Sequence, residues 1–504
     1  MSHRRRGLSS AAARVLAAAL TLAAGAVVAQ PVAAETLLDA VTLAYQTNPT
    51  LLAQRATQRA TDEEYDQAMA GYRPTIGIGA TDTQINGLDT TLGAGSLHLN
   101  TSSAQITAQQ TLYSGGRIAT AVDAAQADIL EGREQLRTTE AQVLTQVIQA
   151  YVDVRRDMRA LAINQENEKV LKGQLDQVQA QFDVGEVTRT DVAQAQARLA
   201  AAKAQVDAAG ATLSVSRAEY ASVVGQTPTD LQVEPTLPGV PDSFDEAMDI
   251  ASKENPGVRS AQYAEQATHH RVAQARADYL PNASLQASYG ATLTPSLGLS
   301  LSQRSEFQAT AQVNVPIFTG GLTGSHVRAA IEHDNAARIG IDGAQRTMLQ
   351  QVSQAWAQVL STRASLAANQ EQVKADEIAA EGTRQEYQVG LRTTIDVLNA
   401  EQELRDAQLA LVNSEHDNYV ATAQLLAAMG RLEARELIAG VKPYDPKANF
   451  DRVRNKGTVI YDRAIQAVDE SVRLHGGHPI DDTDAPIDTQ LRAKVPPSPV
   501  PEQP

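Results

Sequence analysis

Cysteine is absent from the 504 residues. That excludes a disulfide framework and a cysteine-bound metal, and leaves no thiol near the N-terminus to carry a lipid. Aromatic residues make up 4% of the chain, with a single Trp. This is too few for a thick globular core and suits thin, closely packed Ala- and Gln-rich helical layers. Positive charge is short: 43 Lys and Arg stand against 59 Asp and Glu, a net −16. An acidic chain is a poor nucleic-acid binder. Beyond the N-terminal leader no stretch is long and apolar enough to cross a bilayer as a helix. A Walker loop, a nucleophile–base set and a metal motif are also missing. No enzyme activity and no cofactor are therefore expected, and energy for any transport must come from a partner.

What is present begins with Arg4, Arg5 and Arg6, an apolar run from about Val15 to Val28, and Val32-Ala33-Ala34 before Glu35. This reads as a secretory signal peptide over residues 1–34, with a small-residue cleavage site. Its removal takes away Arg4, Arg5, Arg6 and Arg14 and no acid, so the exported chain is more acidic still.

The rest is organised around a turn written twice. Tyr387-Gln388-Val389-Gly390-Leu391-Arg392-Thr393-Thr394-Ile395-Asp396-Val397-Leu398-Asn399 lies between two long helical patterns. Gly390 has the place of a left-handed helix stop, and Thr393 or Thr394 that of the next N-cap. The earlier copy is Phe182-Asp183-Val184-Gly185-Glu186-Val187-Thr188-Arg189-Thr190-Asp191-Val192. The glycines and the aspartates are both 205 positions apart. A duplicated protein follows: residues 35–230 as one repeat, 231–243 as a Pro-containing linker, 244–440 as the second repeat, and 441–504 as a C-terminal segment. The pattern decays in that last segment, and its Pro-rich end is expected to be disordered.

Each repeat opens with a helix broken at Asn48-Pro49 or Asn255-Pro256 and ended at Tyr72-Arg73-Pro74 or Tyr279-Leu280-Pro281. The period then changes from helical to two. Ala283, Leu285, Ala287, Tyr289, Ala291 and Leu293 alternate with polar or small residues, as do Phe307, Ala309, Ala311, Val313, Val315 and Ile317. Ile76, Ile78, Ala80, Ala104, Ile106, Ala108 and Leu112 do so in the first copy. Loops are expected at about Gly87–Thr101 and Thr294–Arg304, between strands of roughly 10 to 12 residues. After Ser114-Gly115-Gly116 and Thr319-Gly320-Gly321, heptad seams begin: Leu144, Val147, Tyr151, Val154, Met158 and Leu161, matched by Leu349, Val352, Trp356 and Val359. Beyond the turns, Val192, Ala195, Leu199, Ala202, Val206, Ala209 and Leu213 match Val397, Ala400, Leu404, Ala407 and Leu411. Such a period coils helices left-handedly around neighbours. A helix from Gly116 to Phe182 would be on the order of 100 Å long.

Four strands with one apolar face cannot close a barrel alone, and an open sheet edge is not tolerated facing lipid. Three chains would supply twelve strands, within the bacterial range. The fold class expected is a mixed α and β membrane protein: a long coiled-coil helical barrel joined to a trimeric twelve-stranded β-barrel. The alternative is a soluble periplasmic coiled-coil structural or adaptor protein, with the sheet packed in a sandwich or on helices.

The duplicated Asn-Pro helix, Leu112-Tyr113-Ser114-Gly115-Gly116, and the turn from Tyr387 to Leu398 resemble the TolC family of outer-membrane channel-tunnels over roughly Glu35 to Leu437. The resemblance implies a homotrimer set in outer-membrane lipid and crossing the periplasm. It also implies a periplasmic membrane-fusion adaptor and an inner-membrane ABC transporter or proton-driven pump, serving type I protein secretion or multidrug efflux. Carried over by position, Tyr387 and Arg392 would bond to Thr190 and Asp191 of the same or the next chain as a gate. Val184, Gly185, Val389 and Gly390 would form the periplasmic tip. Asp396 and the residue three further on would line a constriction. That second position is Asn399, so a ring of six carboxylates is reduced to three and only a weak cation preference is expected. Local alternatives stand beside these roles: an Arg392–Asp396 pair along one helix face, Asp191 as an N-cap residue, and Tyr387 in packing. His269-His270 and His475-Gly476-Gly477-His478 lack acid partners at ligand spacing and read as solvated.

Overall fold

A computed structural model describes residues 35–89, 95–295, 301–437, 443–454 and 456–471. The expected signal peptide, His475 and His478 lie outside the described residues.

The first repeat contains α1 (Leu37–Thr47), α2 (Pro49–Met69), β1 (Thr75–Asp89), β2 (Gly95–Tyr113), α3 (Arg117–Asp183) and α4 (Arg189–Val224). The second contains α5 (Phe244–Glu254), α6 (Pro256–Ala277), β3 (Asn282–Pro295), β4 (Leu301–Asn314), α7 (Leu322–Gln388) and α8 (Thr394–Met429). Short helices α9 (Ala434–Leu437), α10 (Lys447–Val453) and α11 (Asp462–Glu470) follow. The duplication holds to the residue in the long helices: α3 and α7 have 67 residues each, α4 and α8 have 36 each. Among the described residues no helix is long and apolar enough to cross a membrane.

The chain divides into two compact units. The first takes in residues up to Ala53, Thr139–Glu254 and Gln350–Pro443. Here Asn48 supplies the break between α1 and α2. Its Oδ1 accepts from the N–H of Thr50 at 3.0 Å, and its Nδ2 donates to the Val223 carbonyl at 3.0 Å. The expected seam of α3 is buried at Leu144, Val147, Tyr151 and Val154 and relaxes to half-buried at Met158 and Leu161. The Tyr151 hydroxyl donates to the carbonyls of Glu35 and Gln232, and the Tyr220 hydroxyl to the Glu35 carboxylate at 2.5 Å. These bonds tie the start of the first repeat to the linker. Burial pushes the Tyr151 phenol up to about 12, so it stays a donor at any physiological pH.

The second unit takes in Gln54–Thr138, Asn255–Leu349 and the residues from Tyr444 on. It holds one antiparallel sheet in the order β1-β2-β3-β4. Registered partners share a face. Ile78, Ile106, Tyr289 and Phe307 therefore form one row across all four strands, and Ile76, Ala108, Ala287 and Ala309 the next. The opposite face carries rows such as Gly77, Thr107, Ser288 and Gln308. Ile78 is 80% and Phe307 69% exposed, so the apolar face is bare within one chain.

Strand ladders run further than the alternation predicted. The expected loops are paired strand up to Asp89 and from Gly95, and up to Pro295 and from Leu301. Backbone hydrogen bonds sustain a hairpin through Gly- and Ser-rich sequence that carries no side-chain signal. β4 in turn stops at Asn314, short of Ile317, because Pro316 has no N–H to donate. At the foot of the expected second seam Leu349 is 37% exposed, whereas Val352 and Val359 are fully buried.

Candidate gate at the hairpin turns

Both turns have the same backbone. The N–H of Gly185 donates to the Phe182 carbonyl and that of Glu186 to the Gln181 carbonyl, both at 2.9 Å. Gly390 to Tyr387 and Leu391 to Glu386 repeat this at the same distances. With φ of 83° and 79°, Gly185 and Gly390 are required by the left-handed stop. Val184 and Val389 stand 73% and 71% exposed at the two tips.

The aspartates close capping boxes. Thr188 is the N-cap of α4, and Asp191 Oδ2 accepts from its N–H at 2.9 Å and its hydroxyl at 2.7 Å. Thr393, not Thr394, is the N-cap of α8, and Asp396 Oδ2 accepts the same pair at 3.0 and 2.7 Å. The Thr188 hydroxyl, then its N–H, holds the Asp191 carboxyl below the usual carboxylate range. For Asp396 the Thr393 N–H leads and the hydroxyl follows.

Within one chain Tyr387 and Arg392 do not pair with Thr190 or Asp191. The Tyr387 hydroxyl donates to Gln181 Oε1 at 2.7 Å, joining the two hairpins. Arg392 Nε donates to Glu386 Oε2 at 2.7 Å, folding back over its own turn. That bond raises the Arg392 pKa, with the charge of Asp396 a lesser cause. Asn399 Oδ1 accepts from Arg198 Nη2 at 3.0 Å, and the same guanidinium reaches Gln402. One level further along, Arg405 of α8 reaches Gln205 of α4. Leu171, Leu199, Ala202 and Leu398 form the apolar cluster between these levels. A cavity of about 70 Å³ lies beside them, lined by Asn167, Arg198, Gln205, Gln402 and Arg405.

Gln181, Glu386, Arg198, Gln402, Arg405 and Gln205 were not singled out by the duplicated pattern. Position 205 after Arg198 is Glu403, and position 205 before Arg405 is Ala200, so neither arginine is repeated. A charged residue in one copy facing an amide in the other was the signal available.

The histidine pair also differs from expectation. In the second unit, folding brings Glu265 and Asp334 to His269, with all ligand atoms within 4.8 Å. Arg338 already holds both carboxylates, at 3.3 Å from Glu265 and 2.6 Å from Asp334. A cation would have to displace it.

Two repeats each carrying a helix, a β-hairpin and a long helical hairpin, with a capped turn at each tip, define the class. The family described as outer membrane efflux protein matches residues 40–225 and 247–431, and the chain belongs to it. It is similar to the outer membrane efflux protein BepC of Brucella suis biovar 1, at 35% identity over 446 residues, 88% of this chain and 95% of BepC. It is also similar to the alkaline protease secretion protein AprF of Pseudomonas aeruginosa, at 29% identity over 322 residues, 62% of this chain and 66% of AprF. The fold matches the CmeC outer membrane channel of Campylobacter jejuni with a TM-score of 0.69 and 16% identity, over 83% of this chain and 89% of that one. The chain is thus an outer-membrane transport protein with the mixed helical and sheet fold of these channels, as the resemblance implied, and the soluble adaptor reading falls away.

Proposed function

We propose that three copies of the chain close a twelve-stranded barrel in the outer membrane, continued by a helical tube, and that this duct is the passive exit of an export machine. One observation carries the reading. The sheet has four strands, two open edges, an apolar face bare from Ile78 to Phe307 and a polar face opposite. Open edges cannot stand in lipid, so they must pair with other copies. An inner-membrane ABC transporter or proton-driven pump supplies energy and a membrane-fusion adaptor connects the two. The names of BepC and AprF support efflux and protein secretion respectively as the service performed.

The gate sits at the tips. Both bonds to the capping carboxylate fall on Asp191 Oδ2, and Oδ1 has no partner among the described residues. In this reading that oxygen accepts Arg392 of the next chain when the side chain leaves Glu386, and three-fold repetition makes a latch. Tyr387 on Gln181 holds the hairpins in register within each chain.

The test is purification in detergent followed by planar-bilayer recording. A trimer that inserts and conducts is expected; a stable monomer, or a trimer with no conductance, sinks the reading. Arg392→Ser combined with Tyr387→Phe raises single-channel conductance severalfold if the tips close the duct. Unchanged conductance in a folded trimer removes the gate and leaves the duct.

A further inference from the structure

The two strand-to-helix junctions of the second unit are copies, and one of them binds a carboxylate. At the first, the buried Asp469 of α11 accepts from the N–H of Ser114 at 2.7 Å and of Gly116 at 3.1 Å. It also accepts from the Ser114 hydroxyl at 2.9 Å and the Tyr72 hydroxyl at 3.1 Å. Gly115 and Gly116, at φ 68° and 80°, turn those N–H groups inward, and the start of α3 adds its dipole.

The second junction repeats the turn itself, without the bound carboxylate. Thr319 stands for Ser114, Gly320 and Gly321 have φ 63° and 85°, and Tyr279 stands for Tyr72. The Ser114 hydroxyl accepts from Ile118 N–H at 3.1 Å, and the Thr319 hydroxyl from Thr323 N–H at 3.4 Å. The N–H of Thr120 donates to the Gly116 carbonyl and that of Ser325 to the Gly321 carbonyl, both at 3.0 Å. No acid of the described residues occupies the second cradle, and Thr319 to Gly321 are exposed. One charge has changed: where the first copy has Asp123, the second has Arg328. A Cβ on Gly324 would stand 3.0 Å from the Tyr279 hydroxyl and 3.4 Å from Arg328 Nη1, so both reach the first turn of α7.

We infer that the second cradle, built from Thr319, Gly321, Tyr279 and Arg328, binds the phosphate of a phospholipid headgroup. A monoanion with several acceptor oxygens suits two N–H donors, two hydroxyls and a guanidinium. The lipid as source follows from position and rests on the barrel reading above. The apolar side of β4 reaches Val313, and the chain past the strand adds Val315 and Ile317, the last 95% exposed, and Phe318 beside the cradle, 89% exposed. The cradle thus lies where a lipid-facing apolar surface ends, at headgroup level, and Tyr279 and Phe318 have the composition of an interfacial girdle.

The experiment is native mass spectrometry of the full assembled protein after exchange into detergent, with phosphatidylethanolamine added, or diacylglycerol as the same tails without phosphate. Wild-type protein is expected to retain phosphatidylethanolamine and not diacylglycerol. Thr319→Val with Arg328→Gln, and separately Tyr279→Phe, lower retention about tenfold and about threefold, as loss of charge-assisted and neutral bonds dictates. Release of the bound lipid by millimolar inorganic phosphate supports the site as well. Equal retention of the two lipids, or by all proteins, overturns it. So does a photocrosslinker at position 279 that captures an acidic peptide of a neighbouring copy in place of lipid. Retention is read without conductance, so this site and the duct reading can fail separately.

Discussion

Asp191 and Asp396 hold the same post 205 residues apart, and each is fixed by a threonine three residues before it. Because the cap lowers their pKa, the ionised boxes are complete above about 3.8 and are lost only as pH falls through a still lower value. Mild acid will therefore leave both capping boxes intact. His416 on α8 is the residue with the opposite sign. Burial works against its charged form, but contacts with Asp153 and Asp417, at 2.9 and 2.8 Å, more than offset this and raise its pKa. Asp153 lies on α3, so the imidazolium bridges two helices, with Arg156 close by on the same Asp153. The stabilisation is complete below the unfolded value of 6.5 and fades as pH rises through the higher folded one. His416→Gln should lower the thermal unfolding midpoint by several degrees at about pH 5.5 and by progressively less toward about pH 9. A difference that grows with pH would show that the ring is neutral in the fold.

At the scale of elements, Asp469 is the acid that ties α11 to the first strand-to-helix junction, beside the Asp462–Arg73 pair and Ile465 packed on Met69, Tyr72, Ile118 and Val122. Asp469→Ala would leave the N–H groups of Ser114 and Gly116 and two hydroxyls buried without their acceptor. At about 1 to 3 kcal/mol for a buried group left unpaired, a loss of roughly 3 kcal/mol is expected. It is read as a lower unfolding midpoint and faster hydrogen exchange at Ser114 to Ile118, and unchanged exchange there would refute the role. Nothing local in sequence announces this contact, because Asp469 and Ser114 are 355 residues apart and α11 has no counterpart in the repeats. Elements whose chemistry is periodic were legible: the heptads of α3 and α4, the alternation of β1 to β4, the glycine stops and the threonine caps. The duplication located the turns but concealed what joins them. Two hairpins that face each other must differ to be complementary, and Arg198 and Arg405 are such differences. Comparing copies for sameness passes over them, as it passed over the Asp123 to Arg328 change.

At the scale of the proposed trimer, the departure at Asn399 would decide how strongly the tip selects ions. In the proposed trimer a ring of three Asp396 carboxylates, each engaged by its own cap, would give a weak cation preference. Restoring the acid by Asn399→Asp does not simply double the charge. Arg198 Nη2 already lies 3.0 Å from the Asn399 oxygen, so a carboxylate there would form an ion pair and much of its field would be cancelled at its source. Asn399→Asp alone should therefore move the reversal potential in a tenfold salt gradient only slightly toward the cation limit. Asn399→Asp with Arg198→Gln should move it much further, because the new acid then faces the lumen unpaired. The order of the two variants is the informative result. Equal shifts would mean that Arg198 does not reach position 399 in the assembled duct, and no shift in either would mean that this turn of α8 does not line the pore.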